Sequence, residues 1–244
     1  MVTDIESRMM ALRDDSQVAG LSRFFKTGKG QYGEGDMFLG IKVPVTRQLV
    51  KEIWKECTLD DVAAAVSSQW HEVRLCALLV LLQLYKHSKK DAEKQRRYAD
   101  FYLANTRFIN NWDLADLSCG EIMGDWLMKR DRGVLYELAR SGKTIWEQRI
   151  GIVTTISFAR KGDFEDALAI ADILLHHGHD LIHKATGWTL REVDKHDHQR
   201  LLAYLSSSAP GESAPRYTVM PRTMLRYAIE KFSDAERTHF MGRM

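Results

Sequence analysis

The segment 73-VRLCALLVLLQLYKHSKK-90 is apolar on almost every side until it becomes basic near its end. A helix with this composition has no face suited to water, so it is expected to lie buried between neighbouring helices. Elsewhere the apolar residues also recur at helical spacing, and the alternating pattern of strands is almost absent. The sequence therefore predicts an all-α fold.

Short breaks containing Gly or Asp separate the helical stretches, which run for about 10 to 18 residues each. Pro44 and Pro221 stand where helices could begin, because the first turn tolerates a missing N–H. Only two looser segments occur, a Gly-rich loop at 26–36 and a Ser/Pro/Gly-rich loop at 206–215. We expect residues 1–244 to form a single domain.

A faint repeat runs through the chain. Aligned helix starts place five residues at equivalent positions, spaced 37, 38, 35 and 38 residues apart: Arg74, Asn111, Arg149, Lys184 and Arg222. Such periods, with one helical hairpin per unit, are typical of an α-solenoid of the HEAT or armadillo kind. On a concave surface the four basic members would form a cationic track suited to DNA phosphates. The alternative is that each cation pairs with an acid in the neighbouring repeat.

Composition alone does not identify a partner. The formal net charge of +2 is too small to indicate a nucleic-acid-binding protein. Three irregularly spaced cysteines suit a reducing cytoplasm better than a disulfide framework. The longest apolar run, from Leu75 to Leu82, is far below the roughly 18 residues needed to span a bilayer. We expect a cytoplasmic protein with no membrane partner.

Four crowded histidines suggest a metal site: His176, His177, His179 and His183. His179 and His183 have the spacing of a helical ligand pair. However, Gly178 and Asp180 indicate a helix boundary inside the cluster, with Asp180 a suitable N-cap. No cysteine accompanies the cluster, so we interpret these residues as solvated histidines near a turn and expect no metal.

The stretch 110-NNWDLADLSCG-120 carries two acids that helical phase separates. On one continuous helix over residues 111–127, Trp112 and Asp116 share an apolar stripe that continues to Trp126. Asp113 lies off that stripe in the first turn, which predicts a capping or structural role. A carboxylate on an apolar stripe is costly unless it is paired. Asp116 is therefore either functional or paired, and Arg149 is the candidate partner.

The segment 184-KATGWTLRE-192 places Lys184, Trp188 and Arg191 on one helical face. The opposite face carries the apolar and Thr positions of the same helix: Ile182, Thr189, Leu190 and Val193. A large aromatic between two cations on a polar face predicts a binding role, with incidental exposure as the alternative.

Four motifs in order resemble one family: 38-FLGIKVP-44 with Arg47, 111-NWDLAD-116, 146-WEQR-149 and 184-KATGWTLRE-192. Together they resemble the AlkD-type alkylpurine DNA glycosylases of the DNA alkylation repair family, over about residues 5 to 232. The W-D-x-x-D and G-W-x-L-R-E elements are specific only in combination. The resemblance implies a right-handed superhelix of HEAT-like antiparallel helical pairs, with double-stranded DNA along a basic concave face.

The resemblance also implies the activity, which is hydrolysis of the N-glycosidic bond of N3- or N7-alkylated purines. The implied enzyme works as a monomer without cofactor or metal, and it would join the bacterial nucleoid when bound to DNA. Asp116 becomes the catalytic acid, with Trp112 and Trp188 beside the sugar and phosphates of the lesion and Arg149 on a nearby phosphate. The other implied DNA contacts are Lys42, Pro44, Arg47, Lys184 and Arg191.

The C-terminal segment 216-RYTVMPRTMLRYAIEK-231 carries four basic residues against one acid. Arg222 and Arg226 are expected to continue a phosphate-binding track, and the alternative is a solvated terminal face.

A different class of function stays open, because helical-repeat superhelices are often non-catalytic scaffolds that bind DNA structures or proteins. The joint presence of Trp112, Asp116, Arg149 and Trp188 favours the enzyme. A protein-binding scaffold would have no salt-dependent affinity for DNA.

Overall fold

The computed structural model describes residues 4–242, and these residues are predominantly helical. Within that range there is no β-strand, only two isolated bridges that join Met37 to Trp70 and Ser208 to Pro215. The predicted all-α class is confirmed, whereas the right-handed superhelix of HEAT-like pairs stays a prediction. The described residues divide into two compact units, 4–118 and 119–242, so the expectation of one domain also stays a prediction.

The first unit is built around one buried helix. Its helices are α1 (Ile5–Met10), α2 (Asp15–Phe24), α3 (Val43–Ile53), α4 (Leu59–Val66), α5 (His71–His87), α6 (Ala92–Ala104) and α7 (Trp112–Asp116), with a 3₁₀ turn at Thr106–Phe108. Every residue of α5 from His71 to Leu82 is buried, and α1, α3, α4, α6 and α7 all pack against α5. The predicted burial of this apolar segment is confirmed.

The second unit has α13 at its centre. It contains a π-helix (Gly120–Gly124), then α8 (Asp125–Leu127), α9 (Gly133–Ser141), α10 (Ile145–Thr154), α11 (Ile156–Ala159), α12 (Glu165–Ile173), α13 (Asp180–His196), α14 (His198–Ser206), α15 (Arg216–Val219), α16 (Arg222–Ala228) and α17 (Asp234–Met241). Helix α13 packs against α10, α11, α12, α14 and α16. Its buried side includes Ile182, Leu190 and Val193, each fully buried.

Both prolines lie at helix starts as predicted. Pro44 lies in the first turn of α3, and Pro221 directly precedes α16. The two predicted loops also connect helices: residues 25–42 join α2 to α3, and residues 207–215 join α14 to α15.

A buried carboxylate fixes the backbone that leads into α3. The side chain of Glu72, 2% exposed, accepts hydrogen bonds from the backbone N–H of Leu39 at 2.9 Å, of Gly40 at 2.9 Å and of Ile41 at 3.1 Å. Gly40 has a φ of +87°, and a side chain there would collide with the Asp14 carbonyl. The motif 38-FLGI-41 is therefore a shaped turn that delivers Lys42 and Pro44 to the surface.

The segment 111–127 is not one continuous α-helix as predicted, although Cys119, Ile122 and Met123 of the predicted apolar stripe are buried. Helix α7 ends at Asp116, and the chain then widens into the π-helix. Ser157 donates its hydroxyl to the Gly120 carbonyl at 2.8 Å, and a side chain at Gly124 would collide with Ser157. Each wide turn shifts the angular position of later residues, so a count based on 3.6 residues per turn fails.

Gly187 allows α13 and α16 to approach each other closely. An added Cβ at Gly187 would lie 2.5 Å from the Met224 carbonyl oxygen and 2.5 Å from Tyr227 Cβ. We expect Gly187→Ala to lower the free energy of unfolding by about 1–3 kcal/mol, because overpacking must displace a helix. Gly178→Ala is the matched control, since a Cβ at Gly178 meets nothing within 4 Å. Equal denaturation midpoints for the two variants would contradict the close approach.

Candidate functional site

The two acids of α7 differ in their exposure. Asp113 is 3% exposed, whereas Asp116 and Trp112 are both partly exposed. The N-cap is Asn111, whose side-chain oxygen accepts the Trp112 N–H at 2.9 Å. The capping alternative for Asp113 is therefore wrong, and the placement of Asp113 off the packed face is wrong too. Asp113 is a structural residue that points into the first unit.

Asp113 belongs to a buried network of four charged side chains: Asp36, His71, Arg74 and Asp113. His71 bonds through Nε2 to Asp113 at 2.9 Å and through Nδ1 to Asp36 at 2.8 Å. Arg74 pairs with Asp36 and also donates to the Ser68 carbonyl at 2.7 Å. None of the four side chains is more than 6% exposed. Two cations and two carboxylates thus balance one another away from water.

The imidazole of His71 is charged at neutral pH. Burial by itself lowers the pKa of His71, but the hydrogen bonds to Asp113 and Asp36 and the charges of both acids outweigh it and raise the pKa to about 9. Burial raises the pKa of Asp36, yet the bond to His71 and the charge of Arg74 leave it below its usual value. Both ring nitrogens of His71 therefore donate, each to one carboxylate.

This pKa makes stability depend on pH. An unfolded histidine loses its proton near pH 6.5, whereas folded His71 keeps it up to about pH 9. The contribution is complete below pH 6.5 and is lost as the pH rises to 9, a loss of about 3 kcal/mol. We expect the free energy of unfolding, measured with denaturant, to fall over this interval in the wild type and much less in His71→Gln. Parallel pH profiles would contradict the charged state of His71.

The cationic row predicted from the repeat does not form as a continuous exposed track. Arg74 is 5% exposed and bound to Asp36, and Asn111 is fully buried. Arg149 is 6% exposed and donates from Nη1 to the Leu181 carbonyl at 2.7 Å. Arg74, Asn111 and Arg149 are therefore buried at the starts of α5, α7 and α10, whereas Lys184 is partly exposed and Arg222 is exposed. Arg74 is therefore held in a buried ion pair with Asp36, while the role of Arg149 as a DNA contact stays a prediction.

Trp112 lies beside two phenylalanines of the first unit. Its ring centroid is 5.4 Å from that of Phe25 in a stacked arrangement and 5.8 Å from that of Phe24 in an edge arrangement. Phe24 is 59% exposed. Sequence reasoning missed these contacts, although the adjacent aromatics of 22-SRFF-25 were a visible signal. The partly exposed acid Asp116 thus lies on the same short helix as Trp112, whose indole stacks on Phe25.

The polar face of α13 is observed as predicted. Lys184, Trp188 and Arg191 are all partly exposed, and the opposite residues are buried. Lys184 pairs with Asp180 at 2.7 Å, and Arg191 pairs with Glu230. Ion pairs near the surface contribute about 0–1 kcal/mol, so these two pairs add little to the stability of the protein.

The remaining predicted DNA contacts lie on the surfaces of their own units. In the first unit, Lys42, Pro44 and Arg47 are exposed at the start of α3. In the second unit, Arg222 and Arg226 are exposed on α16, and Arg222 also donates to the Met241 carbonyl at 2.6 Å. All five are therefore accessible to a large ligand.

The histidine cluster makes local contacts. His179 caps α13 by accepting the Leu181 N–H at 3.1 Å, so the prediction of Asp180 as N-cap is wrong. His177 bonds to Gln148 at 2.9 Å, and the ring of His183 bonds to the His177 carbonyl. In residues 4–242 no three His, Cys, Asp or Glu side chains are arranged to hold a metal ion.

No helix within 4–242 combines the length and the apolar composition needed to cross a membrane.

The fold and these residues define a class of all-α proteins. Its members carry a partly exposed acid on the same helix as one indole, and a second indole between two cations on another helix. The chain belongs to the DNA alkylation repair enzyme family, whose model matches residues 5–232. This membership places the protein in the repair of alkylated DNA.

One solved structure, described as "Predicted DNA alkylation repair enzyme from Enterococcus faecalis", is similar to this chain with a TM-score of 0.68. The alignment covers 91% of this chain and 97% of that chain at 16% sequence identity, so the likeness shows the fold alone. A comparison with curated proteins gives no match.

Proposed function

We propose that this protein is a DNA glycosylase that hydrolyses the N-glycosidic bond of cationic N3- and N7-alkylated purines in double-stranded DNA. The proposal rests mainly on the different exposure of the two acids of α7. Asp113 is buried and committed to His71, whereas Asp116 is partly exposed on the same short helix as the partly exposed Trp112. Asp116 is therefore the acid of this motif that substrate can reach.

The chemistry suits a carboxylate without a proton to donate. Alkylation at N3 or N7 leaves the purine cationic, so it departs with the electron pair of the C1′–N bond and becomes neutral. Positive charge develops on the deoxyribose, as in glycoside hydrolysis. Asp116 stabilises that charge and orients the water whose oxygen bonds to C1′, and the released proton passes to Asp116 or solvent. No general acid is required.

The indole of Trp112 adds to this effect. The face of an aromatic ring attracts a cation by about 0.5–2 kcal/mol, depending on desolvation. Phe25 stacks against Trp112, with 5.4 Å between the ring centroids, and supports its position. We assign Trp112 to the developing charge on the sugar, and we assign Trp188, by its place between Lys184 and Arg191, to the lesion's backbone.

The cations of both units are assigned to DNA phosphates. In the second unit, Arg149 lies on α10, which packs against the α13 helix of Lys184 and Arg191. The other proposed phosphate contacts are Lys42, Arg47, Arg222 and Arg226, with Pro44 as a backbone contact. Recognition through phosphates predicts little sequence specificity.

The direct test is base release from duplex DNA that has been treated with a methylating agent. We expect the protein to release free 7-methylguanine and 3-methyladenine, as measured by mass spectrometry of the soluble fraction. DNA binding that weakens with salt, but without base release, would contradict the glycosylase and support a non-catalytic DNA-structure binder. The absence of any salt-dependent DNA binding would instead indicate a protein scaffold.

A further inference from the structure

Phe25 links the buried network to Trp112, because it contacts both the His71 ring and the Trp112 ring. The His71 ring packs against Phe38, with centroids 4.6 Å apart and planes 22° apart, and against Phe25, with centroids 4.8 Å apart. Phe25 in turn stacks on Trp112 with an interplanar angle of 27°. The Trp112 indole therefore stacks on Phe25, which in turn packs against Phe38 and His71.

His71 also contacts α7 through the side chain of Asp113. Asp113 follows Trp112 in the chain, and its carboxylate accepts from His71 Nε2 at 2.9 Å. A helix of five residues has few hydrogen bonds of its own to fix its direction. His71 thus constrains α7 twice, once through the Asp113 carboxylate and once through the rings beneath Trp112.

Stability alone gives a poor reason for such an arrangement. Buried ion pairs are often no better for stability than apolar side chains of equal volume, because desolvation offsets the attraction between the charges. What they do provide is direction, since a charged hydrogen bond is stronger and more selective in geometry than an apolar contact. The network places that directional contact one residue from Trp112 and three residues from Asp116.

We propose that His71 is a positioning residue for base excision, which holds α7 through Asp113 so that Trp112 and Asp116 keep a reactive orientation. This inference rests on the proposed glycosylase activity. His71 itself is 1% exposed and does not touch the substrate.

Two isosteric variants separate positioning from stability. Asp113→Asn weakens the contact between His71 and α7, whereas Asp36→Asn removes the other carboxylate of the same histidine, which lies outside α7 in the chain segment before α3. Asp36 also pairs with Arg74, so Asp36→Asn is expected to lose at least as much stability. Asp113→Asn therefore affects the hydrogen bond at His71 Nε2, whereas Asp36→Asn affects the hydrogen bond at His71 Nδ1.

The experiment measures single-turnover release of 7-methylguanine at 20 °C, with thermal unfolding recorded for each protein. We expect Asp113→Asn to lower the maximal rate constant by about tenfold to a hundredfold, because an error near 1 Å in position costs on the order of 100-fold. The half-saturating protein concentration should change by less than about twofold, because α7 supplies none of the proposed phosphate contacts. Asp36→Asn should retain the rate within about threefold despite its lower melting temperature, since a displacement well below 1 Å costs little rate.

Equal rate losses in the two variants, or an unchanged rate in Asp113→Asn, would overturn the inference while leaving the glycosylase activity intact. If Asp113→Asn does not fold, His71→Gln replaces it with the same expected split between rate and affinity. A wild-type protein that releases no base contradicts the proposed function and the inference with it, and the wild-type reaction alone reports that outcome.

Discussion

Asp116→Asn is expected to lower the single-turnover rate of 7-methylguanine release by about 100- to 1000-fold, because removal of one preorganised electrostatic group costs this much. Asparagine keeps the size and shape of the side chain but carries no charge to oppose the developing oxocarbenium ion. DNA affinity should stay within about twofold, since in this account Asp116 acts on the transition state and not on the bound duplex.

The matched control for this prediction is Asp100→Asn, which makes the same change at an exposed acid on α6. The control should release base at the wild-type rate. If Asp116→Asn also retained the wild-type rate, Asp116 would be excluded as the catalytic acid, while the activity itself would stand.

The second large effect is expected at Glu72. In Glu72→Ala, three buried backbone N–H groups, those of Leu39, Gly40 and Ile41, lose their acceptor. A buried donor left without a partner costs about 1–3 kcal/mol, so the variant should lose about 3–5 kcal/mol of unfolding free energy. Denaturant titration measures this loss, and DNA affinity should also fall because the turn positions Lys42 and Pro44.

The free energy of unfolding of Glu72→Gln should lie between those of the alanine variant and the wild type. The glutamine side chain has a single oxygen, which can accept from only some of the three N–H donors. Glu93→Ala is the surface control, at an exposed acid in the first turn of α6, and it should change stability by less than about 0.5 kcal/mol. A loss in Glu72→Ala no greater than in Glu93→Ala would show that the turn forms without the carboxylate.

The helical class and the burial of α5 could be predicted because they depend on local composition. A run such as 73-VRLCALLVLLQL-84 has no polar face, so it is buried in any helical fold. The polar face of α13 was also predictable from local sequence, since a helix of seventeen residues clearly separates its polar side from its apolar side. These predictions required no knowledge of which helices pack together.

The role of Asp113 could not be predicted in this way. A helical wheel gives the angle between Asp113 and Asp116, but it does not say on which side the neighbouring helix lies. The deciding partner is His71, 42 residues earlier in the chain, and its second partner, Asp36, is further still. Contacts of this range leave no local pattern in the sequence.

The buried arginines show the same limit. Arg74 and Arg149 look alike in the sequence, near helix starts at comparable positions of a repeat. Arg74 pairs with Asp36, whereas Arg149 donates to the Leu181 carbonyl. A guanidinium is tolerated inside a protein only where distant groups accept its hydrogen bonds, so its exposure is decided by tertiary structure and not by repeat position.

The proposed glycosylase mechanism is tested with two duplexes that differ in one base, 7-methylguanine in one and the neutral purine hypoxanthine in the other. We expect release of 7-methylguanine and at least about 100-fold slower release of hypoxanthine, because a site without a general acid assists a neutral leaving group very little. Similar rates for the two bases, or release of neither, would contradict this mechanism.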